Sequence, residues 1–503
     1  AAIRSAMVRK PVPSIAASAP AVGLSGMALY LPPYRVDLRD WCAWTGGEWD
    51  KVREVVGDGF RLLGPGQSVY TMAATAVLRL IAAYDIDPGR VRYLALGTES
   101  STDNSAGAII VKGMVDAGLK ATGRAPLTRH CEVPEFKHAC LGGIYGLKNA
   151  LRFLATDGGD AVAIVVCADK AIYERGSSGE PTQGAGAVAM LLERDPAIAT
   201  IDLRLAGTAS AYRAVDFRKP LTARAGNGAA TSLDIPVFNG RYSTSCYVDE
   251  VRRAMEDMYA RRRLVPSDYV RGLGGIFMHR PYARMPETGW GLVYLFALAA
   301  GTPADHDELA SYCASAGLAF ADVLAEMREP PDVAAYGTCD RIQEEVFPLA
   351  MTVLKVFRQS EAFRQHVRAP MQLGAEAMRE MGNLYTGALP AWLATGLADA
   401  ARSGVDLAGR ELLAVGYGSG DAADAIPLQV VPGFATAARR IDVAAALRGA
   451  IPLDEVQYAA VRDGLAPPGL PGVPRGEFVI ERVGRDTGAR FQDAGIEYYR
   501  YLP

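Results

Sequence analysis

The chain is organised around short, fully apolar runs that alternate with longer segments of helical periodicity. In the first part, the apolar runs 161–169 and 186–194 follow the helical segment 142–156. These runs lack the polar alternation of a half-exposed strand, so both faces of the sheet that they form must be covered. The pattern predicts an α/β protein built in layers.

A second set of the same kind follows in the later part of the chain. The apolar runs 274–282 and 412–420 both end in polar residues, and the segment 382–400 starts as a loop and continues as a helix. The helical segment 344–360 contains Pro348, which predicts a kink there. We therefore expect two similar α/β halves that face one cleft, although no internal sequence repeat is visible.

The length of 503 residues exceeds what one hydrophobic core usually supports. We divide the chain into an extension at 1–20, an N-terminal half at 21–197, a C-terminal half at 198–441 and a tail at 442–503. Residues 1–36 contain no Asp or Glu, a composition shared by transit peptides and by disordered extensions, and we favour the extension. The tail contains a Pro/Gly-rich linker and a predicted strand pair, which we expect to cover the surface.

Composition narrows the class of protein. The net charge is −3 with 22% charged residues, so no nucleic acid or anionic membrane surface is expected as a partner. The apolar runs are too short to span a bilayer. Seven cysteines without a CxxC pair predict reduced thiols in the cytoplasm. They are Cys42, Cys131, Cys140, Cys167, Cys246, Cys313 and Cys339.

Cys140, in the stretch EFKHACLGG, is a candidate nucleophile. The residues before it are irregular and the pattern after it is helical. A helix N-terminus favours a thiolate, and Gly142 and Gly143 would let a substrate approach closely. The alternative is an ordinary buried cysteine, which the local sequence alone favours.

Two further residues lie where polar side chains follow apolar strands. Glu99 comes just after such a run, where burial can raise the pKa of a carboxyl towards neutrality. His279 ends the run 274–279, where an imidazole can donate to a developing oxyanion. A surface glutamate and a core histidine are the alternatives.

Glycine-flanked polar turns supply possible hydrogen-bond donors. Asn383 lies in GNLYTG, Ser419 lies in YGSG, and a third turn spans 179–186. We expect Ser419 to lie where backbone N–H groups form part of an oxyanion hole. None of these turns matches a phosphate-binding loop, and no HExxH or Cys/His cluster indicates a metal.

The order of these motifs resembles the hydroxymethylglutaryl-CoA synthase family of thiolase-fold condensing enzymes. The motifs are Glu in GTE, Cys in HACLGG, GEPTQGAGAVAM, His in MHRPY, GNLYTG and YGSG. The resemblance implies a thiolase-like fold, with two related halves in a five-layered α-β-α-β-α sandwich, and a homodimer. It implies that acetyl-CoA is joined to acetoacetyl-CoA and that free CoA is released.

The same resemblance implies a role for individual residues. Cys140 would carry the acetyl group as a thioester, Glu99 would remove a proton from its methyl group, and His279 would engage the carbonyl of the second substrate. Asp169, Tyr173 and Asp216 would support these three. The positions implied to bind CoA and the acyl groups are Ser178, Thr182, Ser243, Arg284, Asn383 and Ser419.

Several positions depart from the family pattern. His138 and Leu141 replace an asparagine and a tyrosine beside the cysteine. Relatives often have two lysines after the HxPY motif, where this chain has Arg284 and Thr288. Ser178 lies where some relatives have asparagine. The loss of the second cation predicts weaker CoA binding and leaves the identity of the acceptor open.

The expected function is therefore hydroxymethylglutaryl-CoA synthase of the mevalonate route, with CoA thioesters as substrates and no cofactor or metal. The second hypothesis is a related enzyme that adds β-branches to polyketides bound to an acyl carrier protein. The third is an inactive thiolase-fold protein that binds acyl-CoA as a sensor or scaffold.

Overall fold

The computed structural model describes residues 20–219 and 235–503, together with the backbone of 221–224 and 230–233. The extension predicted at 1–20 lies almost wholly outside the described residues. No described helix is both long and apolar enough to cross a membrane.

The described strands differ widely in length, from two to eleven residues. They are β1 (Val22–Tyr30), β2 (Tyr34–Asp37), β3 (Gly59–Leu62), β4 (Val91–Gly97), β5 (Glu135–Phe136), β6 (Val162–Ala171), β7 (Gly184–Arg194), β8 (Ala199–Thr200), β9 (Gly207–Ser210), β10 (Leu221–Arg224), β11 (Ala230–Leu233), β12 (Gly275–Met278), β13 (Glu411–Gly418), β14 (Ala422–Val430), β15 (Ile451–Pro452), β16 (Glu477–Val483), β17 (Thr487–Gly488), β18 (Phe491–Gln492) and β19 (Glu497–Leu502).

The described α-helices lie between and around these strands. They are α1 (Leu38–Thr45), α2 (Trp49–Val55), α3 (Val69–Ala83), α4 (Gly107–Ala121), α5 (Gly142–Ala155), α6 (Gly240–Arg262), α7 (Pro266–Gly272), α8 (Arg284–Ala299), α9 (Pro303–Ser315), α10 (Phe320–Arg328), α11 (Pro348–Phe357), α12 (Glu361–Phe363), α13 (Ala375–Met378), α14 (Ala388–Ser403), α15 (Phe434–Ala438), α16 (Val443–Leu447) and α17 (Glu455–Arg462).

The main sheet repeats one topology in its two halves. The N-terminal half has the strand order β5-β4-β6-β7-β1, and the C-terminal half has the order β12-β13-β14-β9. In each half a parallel pair (β4–β6, β12–β13) is followed by two antiparallel pairings. β8 pairs with both β1 and β14, which joins the two halves. The two halves therefore share a strand order, although no repeat is visible in the sequence.

Helices fill the layers above, between and below the two half-sheets. α3 and α4 pack together on the outer face of the N-terminal half, and α6 and α8 pack together outside the C-terminal half. α5 and α14 lie in between and contribute to one hydrophobic core with both half-sheets. The α/β thiolase-like fold with five layers is confirmed, and it agrees with apolar strands that must be covered on both faces.

Two expectations about individual segments need correction. Pro348 does not kink a helix, because α11 begins at this residue, where the missing N–H costs no helical hydrogen bond. The tail does form the predicted strand pair, β16 with β19. However, α17 of the tail does more than cover the surface: Tyr458 donates to Glu180 at 2.7 Å and accepts from Gln183 at 2.9 Å. The domain boundaries stay a prediction.

Candidate active site

A cavity lies between the two halves of the molecule. Its volume is about 300 Å³, within the range of small-molecule sites. Eight of the twelve predicted site residues line this cavity, although they come from distant parts of the chain. They are Cys140, Tyr173, Ser178, Thr182, Ser243, His279, Asn383 and Ser419.

Cys140 lies in a sharp turn just before α5. Ala139 has a φ of 44°, a left-handed conformation that is costly for a residue with a side chain. α5 starts two residues after the cysteine, at Gly142. The turn directs the sulfur into the cavity, where it packs against Tyr173 and Tyr385.

The surroundings of Cys140 oppose the thiolate that a helix N-terminus favours. Burial raises the pKa of this thiol, and the carboxylates of Glu99 and Asp169 raise it further, while Lys219 lowers it. The two carboxylates come from strand ends far away in the sequence. Cys140 is therefore a protonated thiol at rest, and its proton must be removed before the sulfur can attack.

Glu99 is held beside this turn by close packing of two glycines. A Cβ on Gly97, at the end of β4, would lie 2.3 Å from Cα of Gly143 in α5, so the two elements touch through their backbones. The Glu99 side chain is 4% exposed and pairs with Nζ of Lys219 at 3.6 Å. The negative charge of Glu99, just after the end of β4, thus acts on the Cys140 thiol.

Asp169, in β6, binds two loops of the site. Its Oδ1 accepts from the backbone N–H groups of Glu99 and Ser100, each at 2.9 Å, and from the hydroxyl of Thr98 at 2.9 Å. Its Oδ2 accepts from the N–H of Thr386 at 3.1 Å. The Asp169 side chain is fully buried and does not line the cavity, so its role is to position Glu99 and the loop that follows Asn383.

His279 enters the cavity from the opposite half. Its backbone N–H donates to the carbonyl of Val415 at 2.8 Å, which extends the parallel pairing of β12 with β13. Burial lowers the pKa of His279 to about 3, so the imidazole is neutral at physiological pH. Its Nδ1 is buried and has no hydrogen-bond partner among the described residues.

Asp216 belongs to a buried polar network behind the cavity wall. It accepts from Ser243 at 2.6 Å and from Tyr417 at 2.8 Å, and both of these residues line the cavity. Burial raises the pKa of Asp216, and so does the neighbouring Asp421, which pairs with Arg213 at 2.6 Å. Asp216 therefore fixes two wall residues and stays out of the cavity.

The turns that carry Thr182 and Asn383 lie against each other. The N–H of Asn383 donates to the carbonyl of Thr182 at 3.0 Å, and Oδ1 of Asn383 accepts from the N–H of Tyr385 at 2.9 Å. The turn with Ser419 reaches the Cys140 turn in a similar way: a Cβ on Gly418 would lie 2.4 Å from the carbonyl oxygen of His138. Three glycine-flanked turns thus close around the sulfur.

The backbone N–H groups of Cys140 and Ser419 have no acceptor among the described residues. Both residues line the cavity. Donors of this kind can hold a developing oxyanion, as predicted for the Ser419 turn.

Arg284 lies outside this cavity. It begins α8, pairs with Glu54 at 3.1 Å and lines a neighbouring cleft. At Thr288, where relatives often have a second lysine, a cation is nevertheless present. Arg358 reaches from the end of α11 and donates to the Thr288 hydroxyl at 2.6 Å. The predicted loss of positive charge at this place is wrong.

The sequence reasoning missed Lys219 and an aromatic wall. Lys219 pairs with Glu99, and its Nζ lies 4.3 Å from the ring centroid of Tyr385. The other missed wall residues are Phe217, Phe238, Tyr282, Tyr385 and Tyr417. Phe217 and Lys219 lie within three residues of the predicted Asp216, in the segment DFRKP. The motif that indicated Asp216 could therefore have indicated these two residues as well.

Comparisons with known proteins identify chains that are similar to this one. The family model described as hydroxymethylglutaryl-coenzyme A synthase N terminal matches residues 19–197. A hydroxymethylglutaryl-CoA synthase from Haloferax volcanii is 26% identical over 411 residues, which cover 80% of this chain and 82% of that protein.

Solved structures share the fold. The structure titled MvaS in complex with 3-hydroxy-3-methylglutaryl coenzyme A aligns with a TM-score of 0.72 at 24% identity. The structure of the curacin biosynthetic pathway HMG synthase in complex with holo donor-ACP aligns with a TM-score of 0.65 at 17% identity. Each alignment covers 96% of this chain and 100% of the solved chain.

Proposed function

Because the chain belongs to the hydroxymethylglutaryl-CoA synthase family, we propose that it joins acetyl-CoA to acetoacetyl-CoA through an acetyl thioester on Cys140. The products are hydroxymethylglutaryl-CoA and free CoA. The observation that carries this proposal is that Cys140 and His279 open into one cavity while the charge of Glu99 acts on the sulfur.

In the first step the thiol of Cys140 loses its proton and the sulfur attacks the carbonyl carbon of acetyl-CoA. The bond between this carbon and the CoA sulfur breaks, and the CoA thiolate takes up a proton. The N–H groups of Cys140 and Ser419 are the candidates to bind the transient oxyanion, since both residues line the cavity. Because the buried thiol must lose its proton first, the rate of this step depends on the charges around Cys140.

In the second step Glu99 removes a proton from the methyl group of the bound acetyl. The resulting enolate carbon attacks the ketone carbon of acetoacetyl-CoA, and the ketone oxygen becomes a hydroxyl after it gains a proton. A neutral His279 can donate a hydrogen bond to this oxygen while it is negatively charged. Covalent attachment of one reactant replaces a bimolecular encounter by an intramolecular one.

In the last step water hydrolyses the thioester that joins the condensed acyl group to Cys140. The new carboxylate leaves with the CoA of the acceptor, and the thiol of Cys140 is restored. One water is consumed in the whole reaction, and no oxidant or reductant is needed. The proposed residues can therefore carry out the reaction without a cofactor.

A second candidate is the same condensation with an acyl group on a carrier protein, as in enzymes that add β-branches to polyketides. The observation that favours it is that the family's two lysines are replaced by Arg284 and by Thr288 with Arg358 beside it, so the cations differ in kind and position. A solved neighbour in the comparisons is an HMG synthase in complex with a donor carrier protein. For the first candidate we also propose a role in the mevalonate route, a homodimer and a cytoplasmic location.

Steady-state assays with two acceptors test the choice. The first proposal predicts that acetoacetyl-CoA is converted to hydroxymethylglutaryl-CoA with a higher kcat/KM than acetoacetyl carrier protein. A preference for the carrier protein of more than about tenfold, equivalent to about 1.4 kcal/mol, would reject it in favour of the second candidate.

A further inference from the structure

Two buried carboxyls lie side by side behind the wall of the acyl cavity. Oxygens of Asp216 and Asp421 lie within 4.8 Å of each other, and both carboxyls contact the hydroxyl of Tyr417, at 2.8 Å and 3.0 Å. Asp216 is fully buried and Asp421 is 3% exposed. Two carboxylates that are this close and shielded from water repel each other strongly, so the pair retains one proton.

Asp216 is the member of the pair that holds this proton. One oxygen of Asp421 accepts from Arg213 at 2.6 Å and the other accepts from the backbone N–H of Gly420, and both contacts stabilise a negative charge. The hydrogen bonds of the Asp216 carboxyl to described residues are with two hydroxyl groups. Burial raises the pKa of Asp216, and the charge of Asp421 raises it further. Since the oxygens of Asp421 already have these donors, the pair suits a proton better than a metal ion.

The cluster around this pair contains more carboxyls than cations. Its buried members among the described residues are four carboxyls and two guanidiniums, namely Asp216, Asp249, Glu250, Asp421, Arg213 and Arg252. Arg213 pairs with Asp249 at 2.5 Å and with Glu250 at 3.1 Å, so two carboxyls outside the pair also share its charge. Burial raises the pKa of Glu250 to about 7. The excess of acidic groups opposes the ionisation of Asp216.

The other titratable groups that face Asp216 are uncharged at neutral pH. Within the described part of the chain they are Cys140, Tyr242, Cys246 and Tyr417, and burial raises the pKa of each of them. The protonation of Asp216 therefore depends mainly on the charge of Asp421 and on the rest of the cluster.

Ser243 connects the buried pair to the cavity. Its Oγ lies 2.6 Å from an oxygen of Asp216, and the residue lines the cavity and is half-buried. When Asp216 is protonated it can donate to Oγ of Ser243, which leaves the serine hydroxyl free to donate into the cavity. Tyr417 also lines the cavity, but its hydroxyl is directed at the two carboxyls. A proton can therefore pass from Asp216 through Ser243 to an oxygen in the cavity.

The condensation step needs a proton at this place. The attack on the ketone leaves a negatively charged oxygen, and the source of its proton is open in the proposed mechanism. A neutral His279 can donate a hydrogen bond to this oxygen, but it lacks the extra proton of an imidazolium. The ring of Tyr417 lies 6.4 Å from the ring of His279. The pair of carboxyls thus lies behind the part of the wall where the acceptor carbonyl would bind.

We propose that Asp216 supplies this proton through Ser243, and that Asp421 is a positioning residue that keeps the proton on Asp216 until condensation. This proposal rests on the proposed function. The charged oxygen gains the hydroxyl proton of Ser243, Ser243 gains the proton of Asp216, and Asp216 becomes a carboxylate. The proton that is released when water hydrolyses the thioester to a carboxylate restores Asp216, and Glu99 returns the methyl proton to the solvent.

Single-turnover condensation in Asp421→Asn tests the positioning role. Each protein is first incubated with excess acetyl-CoA until its intact mass shows complete acetylation, and is then mixed with acetoacetyl-CoA. Without the charge of Asp421 the pKa of Asp216 falls, so at pH 7.5 condensation should be about ten- to a hundredfold slower than in the wild-type protein. The rate should recover at pH 5.5, where Asp216 takes up its proton again.

Asp249→Asn is the matched control. It also removes a buried carboxylate that pairs with Arg213, but its hydrogen bonds are with arginines and not with Tyr417. This variant should condense at the wild-type rate at both pH values. A wild-type rate in Asp421→Asn, or an equal loss in the two variants, overturns the proposal and leaves Glu99 as the proton donor.

Ser243→Ala tests the route of the proton and leaves the buried cluster intact. Condensation should slow by about ten- to a hundredfold at both pH values, with no recovery at pH 5.5, because the hydroxyl that delivers the proton is gone. Ser245→Ala is its control, since this hydroxyl donates to the backbone carbonyl of Arg241 at 3.3 Å and should not affect the rate. A wild-type rate in Ser243→Ala overturns the proposal even if Asp421→Asn does not fold.

Infrared difference spectroscopy tests the retained proton without any turnover. The wild-type spectrum minus that of Asp216→Asn at pH 7.5 should contain the absorption of a protonated carboxyl. In Asp421→Asn this absorption should be weaker at pH 7.5 and should return at pH 5.5. Its absence from the wild-type protein overturns the proposal. A protein that shows this absorption but accepts no acetyl group would refute the proposed function and leave the proton on Asp216 standing.

Discussion

At the scale of single residues, the site depends on charges that the sequence places far apart. Cys140 is surrounded by carboxylates from two strand ends, and Lys219 is the nearby cation that opposes them. The position of Cys140, Glu99 and His279 after strands or before a helix could be read from the sequence. The protonation of Cys140 could not, because it depends on carboxylates that only the fold brings together.

Lys219 offers a first prediction at this scale. Lys219→Met removes a charge that lowers the pKa of the Cys140 thiol, so acetylation from acetyl-CoA at pH 7 should slow by about ten- to a hundredfold. The rate should also need a higher pH to reach its plateau. Rapid-quench mass measurement over a pH series checks both effects.

The matched control for this prediction is Lys120→Met, in the last turn of α4 and exposed to solvent. It should follow the wild-type profile. A Lys219→Met profile that coincides with the wild-type profile would mean that the ion pair with Glu99 has no part in activating the thiol.

His279 gives a prediction about pH and stability. Its folded-state pKa of about 3 lies below the unfolded value of about 6.5, so the unfolded chain binds the proton more readily. The contribution of His279 to stability is fully present above pH 6.5 and is lost as the pH falls towards 3. Between pH 7.5 and 4.5 the loss should be about 2–3 kcal/mol.

Urea unfolding of the wild-type protein and of His279→Asn at pH 7.5 and 4.5 measures this loss of stability. The variant should lose less free energy of unfolding than the wild-type protein by about 2–3 kcal/mol. His130→Asn, which removes an exposed imidazole, should behave like the wild-type protein. Equal losses in all three proteins would show that the imidazole of His279 can take up a proton in the folded state.

At the scale of elements, close backbone packing decides where the catalytic turns lie. α5 touches both half-sheets: Gly143 faces Cys167 of β6, and a Cβ on Gly416 of β13 would lie 2.6 Å from Leu141. The alternation of strands and helices predicted these elements. It did not predict that Pro348 begins a helix or that α17 holds the loop of Glu180 and Gln183, because both depend on contacts outside the local sequence.

Two glycine substitutions test this packing. Gly143→Ala would place a Cβ 2.2 Å from Sγ of the buried Cys167, so the free energy of unfolding should fall by about 1–3 kcal/mol. Gly113→Ala in α4 meets no heavy atom within 4 Å, and it should raise stability by about 0.5–1 kcal/mol through helix propensity. Denaturant midpoints of the two variants measure both effects. A neutral Gly143→Ala would mean that α5 can move away from the sheet at little cost.

At the scale of the whole molecule, two topologically similar halves bring their strand ends to one cavity. Cys140 lines this cavity from the first half and His279 and Ser419 line it from the second, while the charge of Glu99, also from the first half, acts on the Cys140 thiol. The layered α/β fold could be predicted from apolar strands, and eight of the twenty cavity residues from the order of motifs. Lys219 and the buried Arg280 could not, since a charged residue in a loop is usually exposed and its burial is visible only in the packed structure.

The mass of the intact protein after reaction with acetyl-CoA alone tests the central claim most directly. The wild-type protein and Glu99→Ala should each gain one acetyl group, Cys140→Ala should gain none, and only the wild-type adduct should disappear when acetoacetyl-CoA is added. A wild-type protein without an adduct, or an adduct that persists in Cys140→Ala, would contradict covalent catalysis at this cysteine.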